Sequence, residues 1–357
     1  MKTKFEKITS LVKNGEAILL TCVQSIRWLS GFNYTDGYAL VTNENCYVFA
    51  DFRYIEAARA TVKAPSTVVM LEGGKKCASE YLAKHGIKRI YFEDRFMTCA
   101  ELAEWKNAYP EIEFTEAGGM VDTLREFKDK DEVALIVAAQ RIAEKAYDHI
   151  LDYISPERTE VEVALELEYF MRSQGATGIS FETIAVSGKA SSLPHGVPRN
   201  IPLEKGFLTM DYGAEVDGYR SDMTRTVCIG KADEEMKLIY NTVLRAQLEA
   251  EKVLRAGYKC FDADKVARDI ITEAGYGPCF GHSLGHGVGL FIHEEPRLSP
   301  AKNLKTKLTP GHVVTIEPGI YIEGKYGVRI EDMAYIEEDG SATILTDCPK
   351  ELTELCI

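Results

Sequence analysis

Short apolar runs open this chain, and long helical patterns follow them. "AILLTCV" (17–23), "STVVML" (66–71) and "RIYFED" (89–94) are compact and rich in β-branched or aromatic residues, which predicts strands. "KKCASEYLAKHG" (75–86) predicts a helix stopped by Gly86. Strands alternating with helices make residues 1–125 an α/β domain. The charged stretch "LREFKDKDE" (124–132) then leads into a helical pattern from about 131 to 151, so a second domain is placed at 126–357.

The second region carries its pattern twice. Thr159 and Glu162 form a T-x-x-E capping box that opens a helix ended by Gly175. Two strand-like runs follow, "GFLTMDYG" (206–213) and "GYRSDMTRTVCIG" (218–230), joined through "AEVD". Helices at about 232–255 and 262–274 then precede strand-like runs at 312–317 and 327–337. The order helix, helix, hairpin thus recurs, which predicts an α+β unit with an internal duplication.

Composition narrows the partners. With 357 residues, 45% of them hydrophobic, the chain is long enough for two cored domains. Its net charge of −13 argues against nucleic acid, which needs concentrated positive charge. No apolar run approaches the roughly 18 residues of a membrane span, and the lysine-bearing N-terminus lacks the pattern of a secretory signal. Nine cysteines, odd in number and without a C-x-x-C pair, read as reduced and mostly buried thiols in a cytoplasmic protein.

The acids give the second region its chemistry. Asp211 and Asp222 lie on opposite arms of the first hairpin, and a turn centred between Val216 and Asp217 would make them direct neighbours, about 5 Å apart at Cβ. Like charges so placed call for a cation, a shared proton or a different register. Glu317 and Glu331 repeat the device across a loop centred on Gly324, with Pro318 holding Glu317 extended. Four acids directed into one interior without countercharge would be prohibitively costly, and two divalent ions would neutralise them. His286 in "GHSLGHGVGL" (281–290) supplies a neutral imidazole, while Gly285, Gly287 and Gly289 let backbone come close. Such ligands suit Mn²⁺, with Co²⁺, Fe²⁺ or Zn²⁺ as alternatives. Paired ions roughly 3.5–4 Å apart generate a hydroxide nucleophile and stabilise charge on the substrate.

Taken in order, "MDYG", "SDMTRT", "GHGVGL", "TIEPGIYI" and "GVRIED" resemble the creatinase/aminopeptidase P/prolidase group of metallopeptidases, whose catalytic domain has the pita-bread fold. "SIRWLSGFNYTDGYALV" and "DFRYIEAA" are similar to that group's N-terminal domain. The resemblance implies that Asp211 holds one metal, that Asp222 and Glu331 bridge both, and that His286 and Glu317 complete the other. It also makes Glu317 the base that takes the proton of the attacking water. His293 would then contact the scissile carbonyl, His195 the substrate and leaving amine, and His282 the pocket for proline. Arg329, which alternates in strand register with Glu331, and Tyr321 would support the metals and substrate.

The substrate implied is a small peptide with proline second. Arg297 in "HEEPRLSP" resembles the arginine by which prolidases grip a dipeptide's C-terminal carboxylate, which favours an Xaa-Pro dipeptidase over an aminopeptidase P acting on longer peptides. The N-terminal domain argues against a methionine aminopeptidase. The intact ligand set argues against a creatinase-like hydrolase and against a binding module without catalysis. The same resemblance implies a homodimer.

Overall fold

The computed structural model describes residues 2–301 and 305–356. Contacts divide the chain into two units, one ending at Arg125 and the other beginning at Glu126. The first unit is built on a six-stranded mixed sheet, in the order Ser66–Met70, Cys46–Ala50, Gly37–Val41, Glu16–Leu20, Arg89–Phe92, Glu113–Glu116. Leu19, Phe49, Ile90 and Trp105 meet in its core. The first strand stops at Leu20 rather than running to residue 23, and Val23 begins the helix Val23–Ser30. The Glu93 carboxylate accepts the Thr21 and Cys22 amides at 2.8 and 2.9 Å, which takes them out of the sheet ladder. The helix expected over 75–86 is a 3₁₀ turn, Gly74–Ala78, followed by a short α-helix, Ser79–Lys84.

The second unit repeats a helix pair, with the ends of the two first helices and both ends of the two second helices one hundred residues apart. Lys130–Tyr153 ends on extended Ile154, and Glu160–Ser173 starts from a complete Thr159/Glu162 capping box. Glu234–Val253 ends on extended Leu254, and Cys260–Glu273 follows. The tie between each second helix and the chain ahead also recurs. Leu203 donates to the Arg158 carbonyl at 2.8 Å, and Leu308 to that of Tyr258 at 2.9 Å. Each pair packs on strands of its own half: Ala143, Ile150 and Leu167 on Leu208 and Val227, and Val243, Ala246 and Ala263 on Val314 and Ile316.

The two hairpins place the acids. In the first, Gly206–Tyr212 pairs with Met223–Ile229, and Asp211 stands opposite Thr224 rather than Asp222. The expected register is therefore off by two residues. Its cause is the turn, which lies at Asp217–Gly218 with φ of 48° and 79°, the left-handed pair that closes a tight two-residue hairpin. An offset of two keeps both aspartates on one face, since side chains alternate with period two. In the second hairpin Gly319 pairs with Arg329 and Val313 with Tyr335, the register centred on Gly324. Both of its arms are interrupted where Glu317 and Glu331 sit, between Ile316 and Gly319 and between Arg329 and Asp332.

Four of the nine cysteines are buried, three half-buried and two exposed, so the thiols are less uniformly interior than their scatter suggested. Among the described residues, no helix is long and apolar enough to cross a membrane.

Candidate metal centre

Asp211, Asp222, His286, Glu317 and Glu331 meet at one cavity of about 660 Å³, which His195, His282, His293, Arg297 and Arg329 also line. Of the residues singled out in the sequence, Tyr321 alone stands behind the wall. Its hydroxyl lies 3.0 Å from His282 Nε2 and accepts from Arg329 at 2.7 Å.

Close backbone packing brings His286 in. A Cβ on Gly285 would collide with the Thr315 carbonyl, and one on Gly287 with that of Glu295. Gly289 differs, because what a side chain there would meet first is the Glu294 carboxylate. Held between these strands, His286 accepts nothing at Nδ1, which lies 3.0 Å from the Gly287 carbonyl and so carries the proton. Nε2 is left as a bare lone pair, 3.3 Å from Glu317 and 3.6 Å from Asp222. Burial lowers this imidazole to about 3, which keeps it neutral.

Burial acts on the acids in the opposite direction. Asp222 is driven well above the usual carboxylate range by burial and then by Asp211 and Glu317. Glu331 is driven up by burial and then by Asp222, and burial pushes Glu317 up to about 7. Arg329 meets part of this charge. Its guanidinium donates to Asp211 Oδ2 at 2.6 Å, to Thr224 Oγ1 at 3.0 Å and to the Pro194 carbonyl at 3.2 Å. Thr224 in turn donates to Glu331 Oε2 at 2.7 Å.

The residues present fit a divalent cation. Asp222, His286 and Glu331 each offer a ligand atom within 4.8 Å of the others. Asp211 Oδ1 and Glu331 Oε1 are buried with no hydrogen-bond partner, a costly condition that a cation relieves. Carboxylates with one imidazole form a hard to borderline donor set.

Two threonines escaped the reading of the sequence. Thr224 holds Glu331, and Thr315 donates to Glu317 Oε1 at 3.0 Å while accepting the His286 amide at 3.0 Å. Each lies two residues from a carboxylate, Asp222 or Glu317, and strand alternation could have marked them.

Comparison with known proteins bears on this centre. Residues 134–338 match the model for metallopeptidase family M24, and residues 12–127 that for the creatinase/prolidase N-terminal domain. The chain belongs to metallopeptidase family M24. As an M24 protein it joins a creatinase-type α/β domain to a pita-bread catalytic domain, and the family implies a divalent metal. It is similar to a structure of an Xaa-Pro dipeptidase from Bacillus anthracis, with a TM-score of 0.94, 41% identity and 99% of each chain covered. An X-Pro aminopeptidase from Thermotoga maritima superposes with a TM-score of 0.90 at 34% identity, over 97% of this chain and 99% of that one. A Pyrococcus horikoshii relative named Xaa-Pro dipeptidase is 37% identical over 356 residues, 99% of both chains.

Proposed function

We propose that this M24 protein is a dinuclear Xaa-Pro dipeptidase, and the observation that carries the choice of substrate length is Arg297. Its guanidinium lines the cavity and has no hydrogen-bond or ion-pair partner among the described residues. A cation left unpaired beside a cluster of acids suits a ligand carboxylate, and the free C-terminus of a dipeptide brings one within reach. Both a dipeptidase and an aminopeptidase stand among the similar structures, so the fold alone does not choose between them.

Asp211, Asp222 and Glu331 would hold one ion, and Asp222, His286, Glu317 and Glu331 the other, with Mn²⁺ the best match to the donors. When bound, such a pair supplies a water-derived nucleophile at neutral pH and polarises the scissile carbonyl. The chain's own groups do the rest. Glu317, which accepts from Thr315 at Oε1, would also take the proton from the nucleophile. His293, whose proton affinity is lowered by partial desolvation and by Arg297, would donate its N–H to the carbonyl oxygen as charge develops. His195, exposed at the cavity, faces the leaving amine, and His282, lowered to about 4 by burial, presents an uncharged edge to proline.

Hydrolysis of Xaa-Pro dipeptides against Xaa-Pro-Xaa tripeptides, with Mn²⁺, Co²⁺ and Zn²⁺ supplied separately, tests the reading. Dipeptides should be strongly preferred with Mn²⁺. Equal or better turnover of tripeptides would make aminopeptidase P the better description.

A further inference from the structure

Each half of the catalytic unit contains a fully buried carboxylate on its second helix that has no part in the metal centre. Glu160 is the first residue of the helix Glu160–Ser173, and Asp264 lies one turn into Cys260–Glu273. They are 0% and 1% exposed. Each is paired with an arginine, and each pair grips a loop that carries a histidine of the cavity.

Glu160 closes both ends of the loop around His195. At the near end its Oε1 accepts the Ser187 amide at 2.7 Å and the Ser187 hydroxyl at 2.8 Å. At the far end Oε2 accepts the Arg199 amide at 2.9 Å, and the Arg199 side chain binds in a fork, with Nε to Oε2 at 2.8 Å and an NH₂ group to Oε1 at 2.6 Å. The Glu204 amide returns to the Ser187 hydroxyl at 2.9 Å. One carboxylate thus ties residues 187 and 199 together, with His195 between them.

The second pair works by the same chemistry at the other histidine. Asp264 accepts the Leu284 amide at 2.9 Å and the Arg268 fork at 2.7 and 2.9 Å. Arg268 then donates to the carbonyls of Phe280 at 2.8 Å and of His282 itself at 2.7 Å. The acid holds the chain just after His282, and the arginine holds His282 and the residue two before it.

We propose that Glu160 with Arg199, and Asp264 with Arg268, are positioning pairs, one per half, that set His195 and His282 against the substrate. Hydrogen bonds and forked ion pairs to fully buried carboxylates leave these loops little freedom, and displacement of a substrate-facing group by about 1 Å can cost on the order of 10² in rate. The inference rests on the reading above, in which the two histidines touch substrate.

The test is a pair of double-mutant cycles on the metal-loaded enzyme with an Xaa-Pro dipeptide, Glu160→Gln with His195→Ala and Asp264→Asn with His282→Ala. Glu160→Gln should lower kcat about 10- to 100-fold with little change in KM, because His195 faces the leaving amine. Asp264→Asn should chiefly raise KM, about 10-fold, because His282 faces proline. Each should cost less than about twofold when its histidine is already alanine, at wild-type metal content. Full multiplication of the two single effects, or metal loss that accounts for them, would overturn the proposal. Silent His195→Ala and His282→Ala variants would instead remove the assigned histidine roles. The pairs are then judged by hydrogen exchange, which Glu160→Gln must raise selectively over residues 188–199 and Asp264→Asn over 279–284. A uniform rise across the unit rejects positioning. Should Glu160→Gln fail to fold, Arg199→Gln replaces it, since that side chain is 39% exposed and its loss leaves the protein core intact.

Discussion

Glu331 and Asp332 are adjacent in the chain and almost equally buried, at 1% and 0% exposure, yet their surroundings are opposite. Asp332 faces two cations and the Glu251 carboxyl. It pairs with Arg225 at 2.8 Å and Lys350 at 2.7 Å and accepts from Gln247 at 3.1 Å. Burial works against its charge, but Arg225 and Lys350 overcome the penalty and hold it below the usual range. Glu331 faces Asp211, Asp222 and Glu317, is pushed upward, and keeps one oxygen without a partner. The difference separates a structural buried acid from a candidate ligand: the first has its partners within the chain, and the second lacks one. Glu93 in the N-terminal unit belongs with Asp332, since two amides and Ser25 satisfy it.

Substitutions on the two sides should therefore fail in different ways. Glu331→Ala or Asp222→Ala should abolish turnover and lower bound metal while the folded structure persists, since each would serve both ions. Full dinuclear occupancy in either variant, measured by elemental analysis, would sink the bridging assignment. Asp332→Ala should do the converse: removal of one partner from a buried pair costs roughly 3–5 kcal/mol, read from the denaturant midpoint, while the folded fraction still binds metal. Metal loss at unchanged stability would erase the distinction between the two faces.

Within the cavity, groups beyond the acids and His286 should have smaller effects than those residues themselves. His293→Ala should lower kcat by about 10²-fold if its N–H stabilises the developing oxyanion, and near wild-type kcat at saturating metal would exclude that role. Arg297→Ala should lower kcat/KM for an Xaa-Pro dipeptide about 10- to 150-fold, the worth of a charge-assisted pair of roughly 1.5–3 kcal/mol. An Xaa-Pro amide should lose much less. Equal losses on both substrates would show that Arg297 does not read the carboxylate.

The smallest effect is a pH slope whose sign differs between the faces. In metal-free protein, folded Glu317 holds its proton to about 7 and the unfolded chain releases it near 4.5. Its contribution is present below 4.5 and is lost as pH rises through 7, at a slope of at most about 1.4 kcal/mol per pH unit. Asp332, shifted downward, contributes above the unfolded value and loses that contribution as pH falls. Thermal unfolding from pH 5 to 8, with and without metal, should show an alkaline slope in both forms, because burial and Asp332 also push Glu251 up to about 7, and a steeper one in the metal-free form. The same slope in both would mean that the cation does not neutralise these acids.

Much of this was legible in the residues themselves. The capping box at Thr159, the doubled helix pair and the register about Gly324 follow from local rules, because one short turn or cap decides each of them. The register of the first hairpin departs from expectation because Asp217–Gly218, a pair that readily takes left-handed φ at both positions, sets the turn centre one residue further along than Val216–Asp217. Glu160 and Asp264 were hidden for another reason. An acid in or just past a helix's first turn is ordinary surface chemistry, and only the return of residues 187–204 and 280–284 makes these two interior. Long-range partners, rather than local pattern, separate them from solvated acids.

The Asp217–Gly218 turn places a parity rule on how this hairpin can change over evolutionary time. Adding or deleting a single residue there, with the two-residue turn kept, would send one arm's side chains to the opposite face and take either Asp211 or Asp222 out of the centre. A change of two residues would only slide the arms and keep both acids facing inward. Length variants of this turn that retain the centre should therefore differ by even numbers, so a single-codon insertion is far more damaging here than its exposed position suggests.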